Sequence, residues 1–304
     1  MTSSPVRPDV VDADWRELVA GAGVRMVATD LDGTLLRRDH TVSERTVAAL
    51  ARARAEEFPV VFVTGRPPRW VPPVLEVTGH SGIGVCANGA IVLDLETHEL
   101  LEVHPIAPDV VAEVVGILRD SVPGLAFGVE YVRPDGLTAF AHETRYRVVF
   151  PDDPAVLVAD DVLDLASGFD VVKLLARVEL DGPAAHHDAD TLLDLTLSHV
   201  RHLVNPTHSV SSDVLIEIGA ADVSKGAALE RQAARLGIPV SAVAAVGDMP
   251  NDVPMLRWAG VGLAVETAHP AALAAANALV PSPAEDGVAQ LVEAALDGLA
   301  PGSR

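Results

Sequence analysis

Short apolar runs rich in valine alternate along this chain with helical patterns, and each run ends abruptly in polar residues. Residues 24–29 (VRMVAT), 59–63 (PVVFV) and 243–246 (VAAV) are runs of this kind. Apolar runs of about 4–8 residues bounded by turn residues are typical of strands buried on both faces of a parallel sheet. The sequence therefore predicts an α/β fold built on a doubly wound parallel sheet.

Helical patterns lie between the predicted strands. Residues 43–57 begin with the capping residue Ser43 and contain helix formers throughout. Residues 224–236 also begin with a serine, and they stop at Gly237, a residue type that commonly ends helices. In sheets built from such βαβ units, ligands bind beyond the carboxyl ends of the strands. The polar residues after each apolar run therefore mark the edge where a functional site is expected.

The middle of the chain mixes helical and strand patterns without this regular alternation. We interpret it as an inserted α+β domain over residues 90–203, with the sheet domain formed by residues 21–89 and 204–304. Residues 1–20 are expected to be an N-terminal extension that is either a frayed helix or disordered.

The net charge of the chain limits which classes of molecule it is expected to bind. The 304 residues carry a formal net charge of −21, because 43 acidic residues outnumber 22 basic ones. A protein this acidic repels nucleic acids and anionic membranes, so neither is expected as a partner. The N-terminus lacks the features of a secretion signal, and no segment has the ~18 uninterrupted apolar residues of a membrane span. A cytoplasmic monomer or homodimer is expected, and its single cysteine, Cys86, excludes an intrachain disulfide.

The first candidate for chemistry is the segment DLDGTL at residues 30–35. It places Asp30 and Asp32 where a buried strand ends, which is unfavourable unless a cation or a reaction partner compensates their charges. Gly33 permits the sharp turn that the backbone needs there. Asp30 is suited to ligate a metal and to attack phosphorus, and Asp32 to act as general acid and base. Together they indicate a covalent two-step mechanism.

Two further segments are candidates for phosphate binding. Thr64, Gly65 and Arg66 follow the second predicted strand, where a hydroxyl and backbone N–H groups can hold a phosphate, although Thr-Gly is also a common turn. Lys225 begins a helix, where a lysine opposes the helix dipole and so is not placed for helix stability. Only Lys225 and Lys173 are lysines among the 22 basic residues, and a compact ammonium suits phosphate or carboxylate.

The last candidate is the segment GDMPND at residues 247–252, which follows the third predicted strand. Asp248 ends that strand, and Asn251 and Asp252 lie in the next turn. Oxygen ligands of this kind suit Mg²⁺, which proteins bind through few carboxylates, several waters and substrate phosphate. Together with Asp30, they place carboxylates from two strands at one sheet edge, where a cation is required to make them tolerable.

These four segments occur in the order found in the haloacid dehalogenase (HAD) superfamily of phosphatases, which the chain resembles. Asn88-Gly89-Ala90 and the segment EDGVA at residues 285–289 resemble the Cof-type branch, subfamily IIB. The resemblance covers residues 24–90 and 205–295, and it implies a Rossmann-like core with an inserted α/β cap domain. One segment departs from that branch: residues 264–268 read AVETA where a sequence close to Met-Gly-Asn-Ala is usual.

The resemblance also implies residue roles. Asp30 would be the nucleophile and Asp32 the general acid and base. Mg²⁺ would be held by Asp30, Asp248 and the backbone carbonyl of Asp32, and Asn251 and Asp252 would position the metal or the lysine. The residues expected at the metal are Asp30, Asp32, Asp248 and Asp252. The residues expected at the phosphate are Thr64, Gly65, Arg66, Lys225 and Asn251.

The leading interpretation is an Mg²⁺-dependent phosphohydrolase that cleaves phosphomonoesters of small metabolites, such as sugar phosphates, through an aspartyl-phosphate. A phosphomutase or phosphotransferase with the same intermediate stays open, as does a non-catalytic protein that binds a phosphorylated ligand. A signalling receiver domain is disfavoured, because Asp32 beside the acceptor would speed hydrolysis.

The predicted insertion carries no recognisable substrate motif. Arg133, Arg145, Arg147 and Lys173 are candidates to meet a second anionic group of the substrate. Lys173 lies in the apolar pattern DVVKLLA, where it either snorkels or has a role in substrate contact or cap closure.

Overall fold

The computed structural model describes residues 13–148, 156–166, 168–179 and 182–299 of the chain. Contacts divide the chain into two compact units. The first unit comprises Met1–Thr64, Pro73–Gly84 and Leu229–Arg304. The second unit comprises Gly65–Pro72 and Val85–Ala228. The domain boundaries expected from the sequence stay a prediction.

The described residues form ten α-helices and fourteen strands. The helices are α1 (Trp15–Ala22), α2 (Glu44–Ala55), α3 (Pro72–Thr78), α4 (Pro108–Ser121), α5 (Val162–Ala166), α6 (Ala189–Val200), α7 (Lys225–Arg235), α8 (Val253–Trp258), α9 (Pro270–Ala275) and α10 (Gly287–Gly298). The strands are β1 (Met26–Thr29), β2 (Val60–Val63), β3 (Ile83–Cys86), β4 (Ile91–Asp94), β5 (Leu100–Val103), β6 (Leu125–Val132), β7 (Thr138–Glu143), β8 (Leu157–Ala159), β9 (Asp170–Val178), β10 (Val204–Thr207), β11 (Leu215–Ala220), β12 (Val243–Gly247), β13 (Val261–Val265) and β14 (Ala278–Val280). Within the described ranges, no helix is both long enough and apolar enough to cross a membrane.

The first unit contains the parallel strands of the predicted sheet in the order β14-β13-β12-β1-β2. Strand β1 lies between β12 and β2 and is parallel to both, with Thr29 opposite Val246 on one side and Phe62 on the other. All four residues of β1 and of β2 are buried, as expected for inner strands of a covered parallel sheet. The predicted α/β fold class is confirmed.

Capping residues set the starts of the helices between these strands. Ser43 accepts a hydrogen bond from the Thr46 amide at 3.0 Å, so α2 begins at the next residue after the predicted cap. Ser224 caps α7 in the same way, accepting from the Ala227 amide at 3.1 Å. Part of the expected N-terminal extension is helical, since Asp14 caps α1. Residues 1–12 of that extension lie outside the described residues.

The second unit contains a six-stranded sheet with the order β10-β11-β9-β6-β7-β8. Neighbouring strands are antiparallel except for the parallel pair β7 and β8. One face carries an apolar core that includes Val114 and Leu118 of α4, Leu192 of α6, Phe127 of β6 and Leu174 of β9. Strands β10 and β11 lie beyond residue 203, the predicted end of the insertion, and they pair within this sheet.

The opposite face of the six-stranded sheet is charged near its middle. Lys173 on β9 is the register partner of Glu130 on β6, and Glu217 on β11 is the partner of Leu175 on β9. Side chains alternate between the faces of a strand, so Lys173 and Glu217 point away from the apolar core that contains Leu174.

Candidate active site

Three neighbouring strands of the first unit end at residues that the sequence singled out. Asp30 follows β1, Thr64 follows β2, and Asp248 follows the last residue of β12. Because the three strands are adjacent and parallel, their carboxyl ends meet at one edge of the sheet. The edge expected from the sequence therefore carries all three side chains.

Three carboxylates cluster at this edge. Asp30, Asp248 and Asp252 each offer an oxygen atom, and these atoms lie within 4.8 Å of one another. Asp30 is only 5% exposed and Asp252 is fully buried. Like charges this close in a buried position are favourable only with a cation to neutralise them, and the all-oxygen donor set suits a hard divalent ion.

Asp252 also shapes the loop that carries Asp248. Its Oδ2 accepts hydrogen bonds from the backbone amides of Asp248, at 2.9 Å, and Met249, at 2.8 Å. The backbone carbonyl of Asp248 accepts a further hydrogen bond from the His269 amide at 2.7 Å. The loop is thus fixed from two directions.

Gly33 and Thr34 are adapted to the carboxylate of Asp248. Gly33 has a φ of +84°, and a Cβ atom there would lie 2.5 Å from Asp248 Oδ2. The hydroxyl of Thr34 donates to Asp248 Oδ1 at 3.1 Å. The glycine is therefore needed for close approach as well as for the turn that the sequence predicted. Sequence reasoning missed the contact of Thr34, because it joins residues 214 positions apart.

Asp30 and Asp32 differ sharply in their surroundings. Asp30 is buried, whereas the side chain of Asp32 is 46% exposed. His40 Nδ1 lies 3.6 Å from Asp32 Oδ1. A buried carboxylate in the cluster and an exposed one two residues later suit different tasks, since only the second is open to solvent.

The other predicted phosphate-binding residues are divided between the units. Asn251 is buried in the first unit, as is Thr64. Gly65, Arg66 and Lys225 belong to the second unit. Arg66 is half-buried and donates to the Trp70 carbonyl at 3.3 Å. Their predicted roles in phosphate binding stay predictions.

Both lysines of the chain are buried. Lys225, at the first position of α7, is fully buried, and Lys173 is 3% exposed. Arg177 is the one arginine of the described residues that is buried to this degree. The two positions that stand out because lysine is rare in this sequence are therefore both buried.

Lys173 has protein partners in the second unit. Its ammonium donates to Glu217 Oε1 at 2.6 Å and to the Gly65 carbonyl at 2.7 Å. Glu217 was not predicted from the sequence. The available signal was an acidic residue within the apolar pattern LIEIGA, which matches the lysine within the apolar pattern DVVKLLA. The other basic candidates in the insertion also meet carboxylates: Arg133 meets Asp135, Arg145 meets Glu143 and Glu179, and Arg147 meets Asp213.

The segment that departs from the Cof-type pattern retains an ordered turn. Strand β13 ends at Val265, and the Ala268 amide donates to the Val265 carbonyl at 3.0 Å. The next residue, His269, makes the backbone contact to Asp248 described above. Cys86 is buried, and burial raises the pKa of its thiol to about 12, which leaves it unreactive.

The fold is an α/β sheet with a cluster of carboxylates at the carboxyl ends of adjacent parallel strands. Residues 27–292 match the profile of the haloacid dehalogenase-like hydrolases, and the chain belongs to this family.

Named relatives extend over most of the chain. Pyridoxal phosphate phosphatase YbhA of Escherichia coli is 26% identical over 272 residues, covering 88% of this chain and 97% of the relative. Phosphatase YwpJ of Bacillus subtilis is 30% identical over 286 residues, covering 89% of this chain and 99% of the relative. The predictions of family, Cof-type branch and enzyme class are therefore confirmed: the chain is a HAD phosphatase.

Solved structures show the same fold. A haloacid dehalogenase-like hydrolase from B. subtilis superimposes with a TM-score of 0.71 at 24% identity, covering 89% of this chain and 99% of that chain. The HAD subclass IIB sugar phosphatase BT4131 gives a TM-score of 0.69 at 18% identity, covering 89% and 98% of the two chains.

Proposed function

We propose that this chain is an Mg²⁺-dependent phosphohydrolase that cleaves phosphomonoesters of small metabolites through an aspartyl-phosphate on Asp30. The observation that carries the proposal is the cluster of Asp30, Asp248 and Asp252 beside the exposed Asp32. Residues 21–89 and 204–304 would form the catalytic core around it, and residues 90–203 the cap. A cytoplasmic location and a monomeric or homodimeric state stay predictions from the sequence.

The donor set of the cluster fits magnesium. Asp30 and Asp248, with the backbone carbonyl of Asp32, would hold the ion, and Asp252 would support them through the loop that it fixes. Mg²⁺ prefers few carboxylates and retains water and substrate oxygens as its other ligands. When bound, the ion would supply neutralisation of the charge on the phosphoryl oxygens.

The aspartates then divide the chemistry between them. The carboxylate of Asp30 attacks phosphorus as the bond to the ester oxygen breaks, and Asp32 gives a proton to that leaving oxygen. Asp32 next takes a proton from a water molecule, which attacks the aspartyl-phosphate, releases inorganic phosphate and regenerates Asp30. The burial of Asp30 and the exposure of Asp32 support this assignment.

Relatives support a small phosphorylated metabolite as substrate. Their names include pyridoxal phosphate phosphatase and 5-amino-6-(5-phospho-D-ribitylamino)uracil phosphatase, and a structural neighbour is a sugar phosphatase. A net charge of −21 disfavours long-range attraction of an anion, so the local site must supply the attraction.

The test is release of inorganic phosphate from a panel of sugar phosphates, polyol phosphates and phosphorylated cofactors, with Mg²⁺ or with EDTA. We expect release in Mg²⁺ and its loss in EDTA and in Asp30→Asn. The control is Asp297→Asn, the same chemical change at a side chain that is 67% exposed and pairs with Arg52. Phosphate release by Asp30→Asn at the wild-type rate would contradict the mechanism, and conversion of a sugar phosphate to its isomer would indicate a phosphomutase instead.

A further inference from the structure

A buried ionic network in the second unit joins backbone segments that the proposed function uses. It consists of Lys173, Glu217 and Asn88, and we refer to it as the Lys173 network. Lys173 and Glu217 pair at 2.6 Å, and the Asn88 amide group donates to the other carboxylate oxygen of Glu217 at 3.2 Å. All three side chains are buried.

The network holds the backbone that directly follows Thr64. Lys173 donates to the Gly65 carbonyl at 2.7 Å, and the Ala87 amide donates to the Arg66 carbonyl at 2.9 Å. The same loop is held at a second point, where Arg69 Nη2 donates to Glu130 Oε1 at 2.9 Å. Residues 65–69 are thus fixed by side chains from β6 and β9.

The segment around Asn88 is strained in a way that needs such support. Ala87, Asn88 and Gly89 have φ angles of 49°, 58° and 103°. Non-glycine residues seldom adopt this left-handed region, and they persist there where surrounding contacts over-determine the backbone. The hydrogen bond from Asn88 to Glu217 is one of those contacts.

The strained segment also reaches the start of α7. A Cβ atom at Gly89 would overlap the carbonyl oxygen of Ser224, so the two backbones are in close approach. Ser224 caps α7 and directly precedes Lys225. The network therefore joins the segment after Thr64 to the strained turn, and the turn packs against the residue that precedes Lys225.

We propose that Lys173, Glu217 and Asn88 are positioning residues that fix Gly65, Arg66 and the start of α7 in their phosphate-binding arrangement. The inference rests on the proposed function. It assigns Lys173 to holding the enzyme's own backbone and not to contact with substrate. Two of the three donors of its ammonium are already used by Glu217 and Gly65.

The charge state of Glu217 supports an ionic network. Burial alone would raise the pKa of this carboxyl. The ammonium of Lys173 and the hydrogen bonds that Glu217 accepts outweigh burial, so its pKa lies below the ordinary value.

The same strand supplies a matched control pair. Arg177 lies four positions after Lys173 on β9, is also buried, and donates to Asp213 Oδ2 at 2.6 Å. Its guanidinium packs over the Tyr146 ring, 5.3 Å from the centroid. Loss of this pair removes an ionic contact of the same strand, with a buried cation and a partly buried carboxylate, that involves neither Gly65 nor Asn88.

The experiment compares Lys173→Met with the double variant Lys173→Met/Glu217→Gln. The single variant leaves a buried carboxylate unpaired, whereas the double variant removes both charges, so its thermal stability should return towards wild type. Activity should not return, because the donor to the Gly65 carbonyl is still missing. We expect kcat/KM for phosphate release to fall by roughly 100-fold in both variants, as for a catalytic group displaced by about 1 Å. Arg177→Met/Asp213→Asn should retain wild-type kcat/KM.

Hydrogen exchange supplies a readout that does not depend on turnover. Amides of residues 65–69 and 87–89 should exchange faster in the double Lys173 variant than in wild type or in the Arg177 control. If the wild type releases no phosphate, the proposed function is contradicted. Hydrogen exchange would then still test whether the Lys173 network fixes residues 65–69 and 87–89. An active wild type together with a double Lys173 variant of wild-type activity and unchanged exchange would overturn the positioning role.

Discussion

Buried carboxylates are arranged in opposite ways in the two units. In the first unit, Asp30, Asp248 and Asp252 place oxygen atoms within 4.8 Å of one another. In the second unit, Glu143 accepts a hydrogen bond from Arg119 at 2.6 Å, and Glu217 accepts one from Lys173 at 2.6 Å. One region concentrates like charges, and the other pairs opposite charges.

The two arrangements have opposite consequences for stability. Removing one partner of a buried ion pair leaves an uncompensated charge and is strongly destabilising. Removing one of several clustered carboxylates relieves repulsion, so the cluster is expected to lower stability in the absence of a cation. The comparison predicts that the same change, carboxylate to amide, will have opposite signs in the two units.

Among the variants that compare the two units, the largest effect is expected for Asp248→Asn, on activity. We expect kcat/KM to fall by roughly 1,000-fold, since a metal ion contributes several kcal/mol to neutralising the transferring phosphoryl group. The amide oxygen can still accept the hydrogen bond from Thr34, so the loop should be retained. In EDTA, the free energy of unfolding should rise by about 1 kcal/mol as one like charge is removed.

Urea unfolding with and without Mg²⁺ completes that test. Wild type should gain stability from Mg²⁺, because a ligand that binds only the folded state stabilises it by mass action, and Asp248→Asn should gain little. A loss of stability for Asp248→Asn in EDTA would break the comparison between the units.

A change of the opposite sign in stability, with no change in activity, is expected for Glu143→Gln in the second unit. Glu143 is fully buried and accepts hydrogen bonds from Arg119 at 2.6 Å, Arg145 at 3.1 Å and the Phe127 amide at 3.0 Å. The free energy of unfolding in urea should fall by about 3 kcal/mol. Phosphate release by the folded enzyme should be unchanged.

The control for that variant is Asp135→Asn. Asp135 pairs with Arg133 at 2.7 Å, but both side chains are more than 40% exposed. An exposed pair of this kind contributes roughly 0–1 kcal/mol, so little change in stability is expected. Equal losses of unfolding free energy for Glu143→Gln and Asp135→Asn would show that burial does not decide how much these ion pairs contribute to stability.

The sequence was most informative where structure depends on neighbours along the chain. The valine-rich runs became β1, β2 and β12, because complete burial of a short strand requires an apolar residue at every position. Asp30, Thr64 and Asp248 could then be placed at one edge, since parallel strands end together. That inference needed no knowledge of side-chain contacts.

Contacts between distant segments were beyond such reasoning. Lys173 was conspicuous in the sequence, but its partner Glu217 could be found only from the pairing of β9 with β11. The role of Asn88 depends on a left-handed turn that its sequence does not specify. Strand order and register decide these contacts, and neither follows from local periodicity.

The smallest effect is expected in the pH dependence of stability for Glu217→Gln. It tests whether Glu217 and Lys173 in the second unit interact as an ion pair or only through a hydrogen bond. The pKa of Glu217 is lowered from its unfolded value of 4.5, because Lys173 and its hydrogen-bond donors outweigh burial. A lowered folded-state pKa means that the unfolded chain binds the proton more readily, so this stabilisation is fully present above the unfolded pKa. It is lost as the pH falls from 4.5 through the folded-state pKa.

The difference in unfolding free energy between wild type and Glu217→Gln should therefore be constant near neutral pH and shrink below pH 4.5. A difference that stayed constant into the acid range would show that Lys173 holds Glu217 by a hydrogen bond that does not require the carboxylate charge.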